Sequence, residues 1–141
     1  MKKKSVVFLA ILIVIILLIF ITIVIFSKKK VLTCVIKNGG TYNNIYEKYI
    51  FTGRGDIIEL EERYCKIKDN EKHEIINKYY DLLKDDDNVK NIKIVNHTIE
   101  WYEKRSMVKY QELDNCKDEK GNILFSKLKK YFEDMDYICN Y

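Results

Sequence analysis

Residues 45–67 read IYEKYIFTGRGDIIELEERYCKI. Two runs rich in aromatic and β-branched side chains, 45–52 and 57–67, are joined by Gly53-Arg54-Gly55-Asp56. Glycines and an aspartate between such runs make the turn of a β-hairpin. Upstream, residues 31–37 (VLTCVIK) read as a further strand, set off by the turn signal Asn38-Gly39-Gly40. Downstream, Ile75, Tyr79, Leu82 and Leu83 recur at helical spacing. Lys72, Glu74, Asn77, Lys78, Asp81 and Lys84 take the other side, which predicts an amphipathic helix over about 71–84. Asp69 or Asn70 can cap its start, and Asp85-Asp86-Asp87 would sit badly at the negative end of its dipole, so it stops there.

Residues 89–95 and 98–103 read as two strands or one bent strand, with Ile99 and Trp101 on one face. Residues 106–113 read as another strand, with Val108 and Tyr110 as packing partners, and 114–122 as a polar loop. A last helix over about 124–135 places Leu124, Leu128, Tyr131, Phe132 and Met135 on one side, and 137–141 finishes as a short extended segment. The order βββ-α-ββ-α predicts an α+β domain, an antiparallel sheet covered by two helices.

Ahead of this domain, residues 6–26 (VVFLAILIVIILLIFITIVIF) hold no charge and one Thr. At about 1.5 Å per residue they extend roughly 31 Å, the thickness of a hydrocarbon core. In lipid only a helix satisfies its own backbone over that length, so the abundant β-branched residues do not argue for a strand. The run is longer than a secretory apolar region, though Ser27 could serve as a cleavage-site residue in a processed form. No lipobox precedes Cys34, the Gly-Phe junction and early Glu of a pilin leader are missing, and no small-xxx-small pattern marks a helix-pairing face. The reading is a transmembrane anchor over 1–30 and one small domain over 31–141.

The formal net charge of +4 belongs to the anchor flanks, where Lys2, Lys3, Lys4, Lys28, Lys29 and Lys30 stand with no acid before residue 31. The domain itself holds 19 basic and 21 acidic residues, so a nucleic-acid partner loses its electrostatic basis. Lysines placed symmetrically about the span give the positive-inside rule no preference. The cysteines supply one: Cys34, Cys65, Cys116 and Cys139 all lie in the domain, and an even count suits an oxidising compartment. The N-terminus is therefore expected in the cytoplasm and the domain outside the cell membrane. Absence of proline and heavy use of Ile, Lys, Asn and Tyr point to an AT-rich bacterial genome.

No two cysteines form CxxC, which removes a thioredoxin-like centre, and their wide spacing does not suit a four-thiolate zinc site. Two structural disulfides among Cys34, Cys65, Cys116 and Cys139 are expected, with Cys34–Cys139 favoured because it ties the last segment back to the first strand. The alternative is four buried thiols in a cytosolic domain.

The lysine-flanked span followed by Leu32-Thr33-Cys34, the hairpin ending in Gly55-Asp56-Ile57, and the strings Leu128-Lys129-Lys130-Tyr131-Phe132-Glu133 and Tyr137-Ile138-Cys139 resemble small membrane-anchored surface proteins of low-GC Gram-positive bacteria. Among these the chain is similar to the YehR-like lipoproteins over most of 31–141, except that a transmembrane anchor replaces their lipobox. The resemblance implies an α+β surface domain and brings no chemistry with it.

Each short motif has a plainer reading beside its functional one. Arg54-Gly55-Asp56 spells an adhesion tripeptide but is ordinary turn chemistry, and Gly53-x-Gly55 lacks the Gly-Lys of a phosphate loop. His73 and His97 sit in no HExxH or similar frame. Asn96-His97-Thr98 matches a glycosylation sequon, relevant only in a eukaryote. Asp85-Asp86-Asp87-Asn88 lacks the Gly and distal Glu of a calcium loop, and no serine sits in a Gly-x-Ser-x-Gly elbow. The 11 tyrosines and Trp101 serve either as strand and core residues or as a partner surface. The function expected is therefore a membrane-tethered binding domain, not an enzyme, needing no cofactor and meeting an envelope or membrane protein. The alternatives are an accessory subunit of a membrane complex and an enzyme whose site assembles from scattered Asp, Glu and Tyr.

Overall fold

The computed structural model describes residues 2–37, 45–69, 73–107 and 113–141. A 26-residue helix, α1 (Lys2–Ser27), leads without a linker into β1 (Lys29–Lys37). Over Val7–Ile25 it is long and apolar enough to cross a membrane, and the one hydroxyl within that stretch is satisfied internally, Thr22 Oγ1 donating to the carbonyls of Leu18 and Ile19. The domain continues with β2 (Ile45–Arg54), β3 (Ile57–Lys68), α2 (His73–Leu83), β4 (Val89–Val95), β5 (Thr98–Ser106), a 3-10 turn (Asp114–Cys116), α3 (Phe125–Glu133) and β6 (Ile138–Asn140). The six strands form one antiparallel sheet in the order β4-β5-β3-β2-β1-β6.

The α+β class and the antiparallel sheet stand as expected, with differences in detail. The last segment is a true sheet strand, β6, which pairs with Thr33–Val35 of β1. The pair 89–95 and 98–103 is a hairpin, not one bent strand, because Asn96 (φ 46°) and His97 (φ 63°) both take the left-handed conformation that a two-residue turn requires. Of the strand expected over 106–113, Ser106 ends β5 and Leu113 precedes the 3-10 turn, while Val108 and Tyr110 lie outside the described residues. So do Asn38-Gly39-Gly40, Asn70 and Lys72.

Both helices keep part of the stripe the spacing proposed, Tyr79 and Leu83 on one and Leu128 and Phe132 on the other, and shift the rest. On α2 the inner residues are Ile76, Tyr79 and Leu83, while Leu82 is exposed. On α3 they are Phe125, Leu128 and Phe132, and Tyr131 and Met135 face outward. In each case apolar residues lie on neighbouring stripes, and the sheet takes the one that repeats at i, i+3 and i+7.

The central hairpin turns tightly. Arg54 pairs with Ile57, which leaves Gly55-Asp56 as the loop with Gly55 at φ 59°. At the bulge beside it, a Cβ on Gly53 would stand 2.0 Å from the Ile57 carbonyl oxygen, so only glycine fits. Asp56 then reaches α3: its carbonyl accepts the Phe125 N–H, and its carboxylate accepts the N–H and hydroxyl of Ser126. A hairpin tip thus caps a helix 70 residues further along the chain.

Helices α2 and α3 lie on the same side of the sheet and make two separate cores. One gathers Leu32, Cys34, Phe51, Leu128, Phe132 and Cys139 beneath α3. The other gathers Cys65, Ile67, Ile76, Ile99 and Trp101 beneath α2.

Candidate functional site

Between these cores the covered face of the sheet carries charge. Glu-x-Arg occurs in β3 (Glu61, Arg63) and again in β5 (Glu103, Arg105), and the antiparallel register sets each glutamate opposite the other strand's arginine. Glu47 of β2 extends the row. Arg63 pairs with Glu47 Oε1 at 2.9 Å and Glu103 Oε1 at 3.4 Å, and Arg105 with Glu103 Oε2 at 2.7 Å. Trp101 Nε1 donates to Glu103 at 2.7 Å, and the Tyr137 hydroxyl to Glu47 at 2.7 Å. The Arg63 guanidinium lies 5.2 Å from the centre of the Tyr49 ring. Signs therefore alternate from Glu61 through Arg105, Glu103 and Arg63 to Glu47, the arrangement that makes burial of so many charges tolerable.

One group is less well served. Glu61 is 2% exposed and its Oε1 has no hydrogen-bond partner. Burial raises its pKa to about 7, with Arg105 and Arg63 pulling it down and Glu103 adding to the rise. The Cys65 thiol is likewise pushed up to about 12 by burial and by Glu47 beside it, so it is held as a protonated core residue. This ionic row was not singled out from sequence, although the repeated Glu-x-Arg in two neighbouring strands was its signal.

The opposite face is uncovered among the described elements. Reading across the strands, Val35, Lys48, Tyr64, Tyr102 and Lys90 form one row, and Tyr46, Lys66, Glu100 and Lys93 the next. The Tyr46 and Tyr64 rings meet edge to face at 6.1 Å. Glu100 accepts from Lys66 at 2.8 Å and from the Tyr64 hydroxyl at 3.2 Å. Glu62 accepts from the Tyr102 hydroxyl and stands 3.8 Å from Lys104. Beside these rows lies a shallow cleft of about 270 Å³ lined by Lys66, Lys93, Val95, Asn96, Thr98 and Glu100.

The cysteines divide. Cys34 and Cys139 are directly opposed on β1 and β6, Cα atoms 4.1 Å apart, and form a disulfide, the pairing the sequence favoured. The expected second bridge is absent: Cys65 and Cys116 are free and buried. Cys65 packs in the core under α2 and Cys116 in the core under α3, with the ionic row between the two cores.

The remaining motifs resolve into local structure. Asp56 of the adhesion tripeptide caps α3 and lies 3.8 Å from Lys30, while Arg54 stands 3.9 Å from Glu59. Asp86 accepts from the backbone and side chain of Asn88, which makes the acidic run a turn. His97 is a hairpin-turn residue and His73 opens α2, on different elements. Among the described residues no three His, Cys, Asp or Glu side chains gather as a metal site.

No family model matches the chain, and neither a curated protein nor a solved structure matches it significantly.

Proposed function

We propose that this chain is a membrane-tethered recognition domain, anchored by α1 with its N-terminus in the cytoplasm and displaying the open face of its sheet to a component of the cell envelope. The observation that carries the reading is the asymmetry of the sheet. One face is closed by α2 and α3 over two cores, while the other sets Tyr46, Tyr64 and Tyr102 among lysines with no described element upon it. Tyrosine offers rigid contact area with a polar tip, the character of a recognition surface. The Cys34–Cys139 bridge supports placement of the domain on the oxidising side of the membrane. The resemblance to YehR-like lipoproteins agrees with a surface role.

The test is site-directed photo-crosslinking of the full chain in its own membrane. Reactive groups at Lys48, Tyr64 or Lys93 should capture an envelope component. Groups at Lys78 of α2 or Lys130 of α3, on the solvent sides of the helices, should not. Capture from the helix positions alone would refute the assignment.

A further inference from the structure

Resting on the open face as the recognition surface, we propose that its ligand is an acidic polysaccharide, a chain of sugar rings carrying carboxylate or phosphate groups. Charge is the first argument. The domain as a whole is slightly acidic, with 19 basic and 21 acidic residues from position 31 onward. Yet among the described strand-paired residues its open face gathers Lys48, Lys66, Lys68, Lys90, Lys93 and Lys104 against Glu62 and Glu100 alone. Charge has been sorted onto this side. The two glutamates are already engaged by Lys66, Lys104 and the tyrosine hydroxyls. Lys48, Lys68 and Lys93 have no salt-bridge partner among the described residues. Lys93 stands across from Glu100, whose negative charge it already shares with Lys66. Positive charge still exceeds negative on the described part of this face, and a polyanion laid across the strands would meet that excess.

The second argument is the rings between those cations. Tyr64 and Tyr102 stand side by side on neighbouring strands, with Lys48 on one flank and Lys90 on the other. Neighbouring strands are about 4.8 Å apart and same-face residues along a strand about 6.8 Å apart, the scale of one sugar unit. A polymer of charged rings can stack on the tyrosines while its acid groups reach the lysines. Asn96 and Thr98 in the adjoining cleft supply an amide and a hydroxyl for sugar hydroxyls, next to Lys66 and Lys93.

The third argument is position. Strand β1 leaves the anchor at Lys29, which pairs with Arg54 beside Ile57, so that end of the sheet is the one next to α1. The cleft lies at the opposite end, where Lys68 pairs with Thr98. A lipid headgroup at the anchor's own surface is therefore the wrong end of the domain, and a polymer beyond the membrane is the right one.

Binding is measured with the full chain in detergent micelles against polygalacturonate (rings with charge), dextran (rings alone), polyphosphate (charge alone) and single-stranded poly-dT. The expected result is that polygalacturonate binds tightest, dextran does not bind, and affinity for polygalacturonate falls steeply as salt rises. Lys48→Glu with Lys93→Glu should weaken polygalacturonate binding tenfold or more. Tyr64→Ala should weaken it severalfold while leaving polyphosphate binding unchanged. Lys78→Glu, on the other side of the sheet, should change nothing, and Trp101 fluorescence checks that each variant is folded. Tighter binding to poly-dT or polyphosphate, or indifference to Tyr64→Ala, would overturn the polysaccharide assignment. If no polymer binds but crosslinks from Lys48 and Tyr64 persist in the membrane, the ligand class is wrong and the recognition face stands. Loss of both removes the two together.

Discussion

The two faces of the sheet are made from the same strands and carry the same kinds of charge, but they use it in opposite ways. On the covered face every other residue of β3 turns Glu61, Arg63 and Cys65 inward, and the charges are spent on one another between two apolar cores. On the open face the same strand turns Glu62, Tyr64 and Lys66 outward, and lysine outnumbers glutamate. Paired charges fix a register, because a one-residue slip would set like beside like and turn the inward row to solvent. Unpaired charges are available to something else.

Substitutions should separate the faces, and urea unfolding of the full chain in micelles, followed by Trp101 as the only tryptophan, can read most of the differences. The largest effect is expected at Phe51, fully buried against Tyr49 and Phe132: Phe51→Ala should lower stability by about 3–5 kcal/mol. Glu103→Gln should cost about 3 kcal/mol or more, because it leaves Arg63 and Arg105 without the carboxylate between them. Cys34→Ala should cost about 2–4 kcal/mol, and reduction of the parent protein should lower its stability by a similar amount while leaving the variant unmoved.

Glu61 gives a pH-dependent contrast. Its folded pKa of about 7 lies above the ordinary glutamate value of 4.5. Between those values the native state keeps a proton that the unfolded chain has released, so this contribution is full below about pH 4.5 and is lost as pH rises through 7. Glu61→Gln should therefore be more stable than the parent by about 1–3 kcal/mol at pH 8 and no more stable at pH 4. A constant difference between the two proteins from pH 4 to 8 would show that Glu61 does not titrate there. The smallest effect belongs to the open face, where Lys48→Glu with Lys93→Glu should change stability by no more than about 0.5 kcal/mol.

Some of this was legible in the sequence for a clear reason. The Gly55-Asp56 turn and the apolar span are strong local signals, while Cys34 with Cys139 was one of three possible pairings, favoured only because it ties the end of the chain to the first strand. The helix stripes were only half right because Ile75 sits next to Ile76 and Leu82 next to Leu83, so periodicity alone could not choose between neighbours that the sheet later ranked. The 96–97 turn was missed because Asn-His is a weaker hairpin signal than Asn-Gly. A second disulfide was expected from an even cysteine count, which carries no information on which core each thiol enters. The ionic row and the lysine-rich face depend on which strands lie side by side. The order β4-β5-β3-β2-β1-β6 puts β5 against β3 across an intervening helix and strand, and no local pattern announces that.

The most direct test of an open recognition face is lysine labelling with a membrane-impermeant amine reagent, read by mass spectrometry, on intact cells and on the purified full chain. In the purified protein Lys48, Lys68, Lys78, Lys93 and Lys130 should all label. In cells Lys78 and Lys130 should still label, which places the domain outside, while Lys48, Lys68 and Lys93 should be protected. Equal labelling of those three in cells and in the purified protein would contradict an occupied face, and no labelling of any of the five in intact cells would contradict the orientation itself.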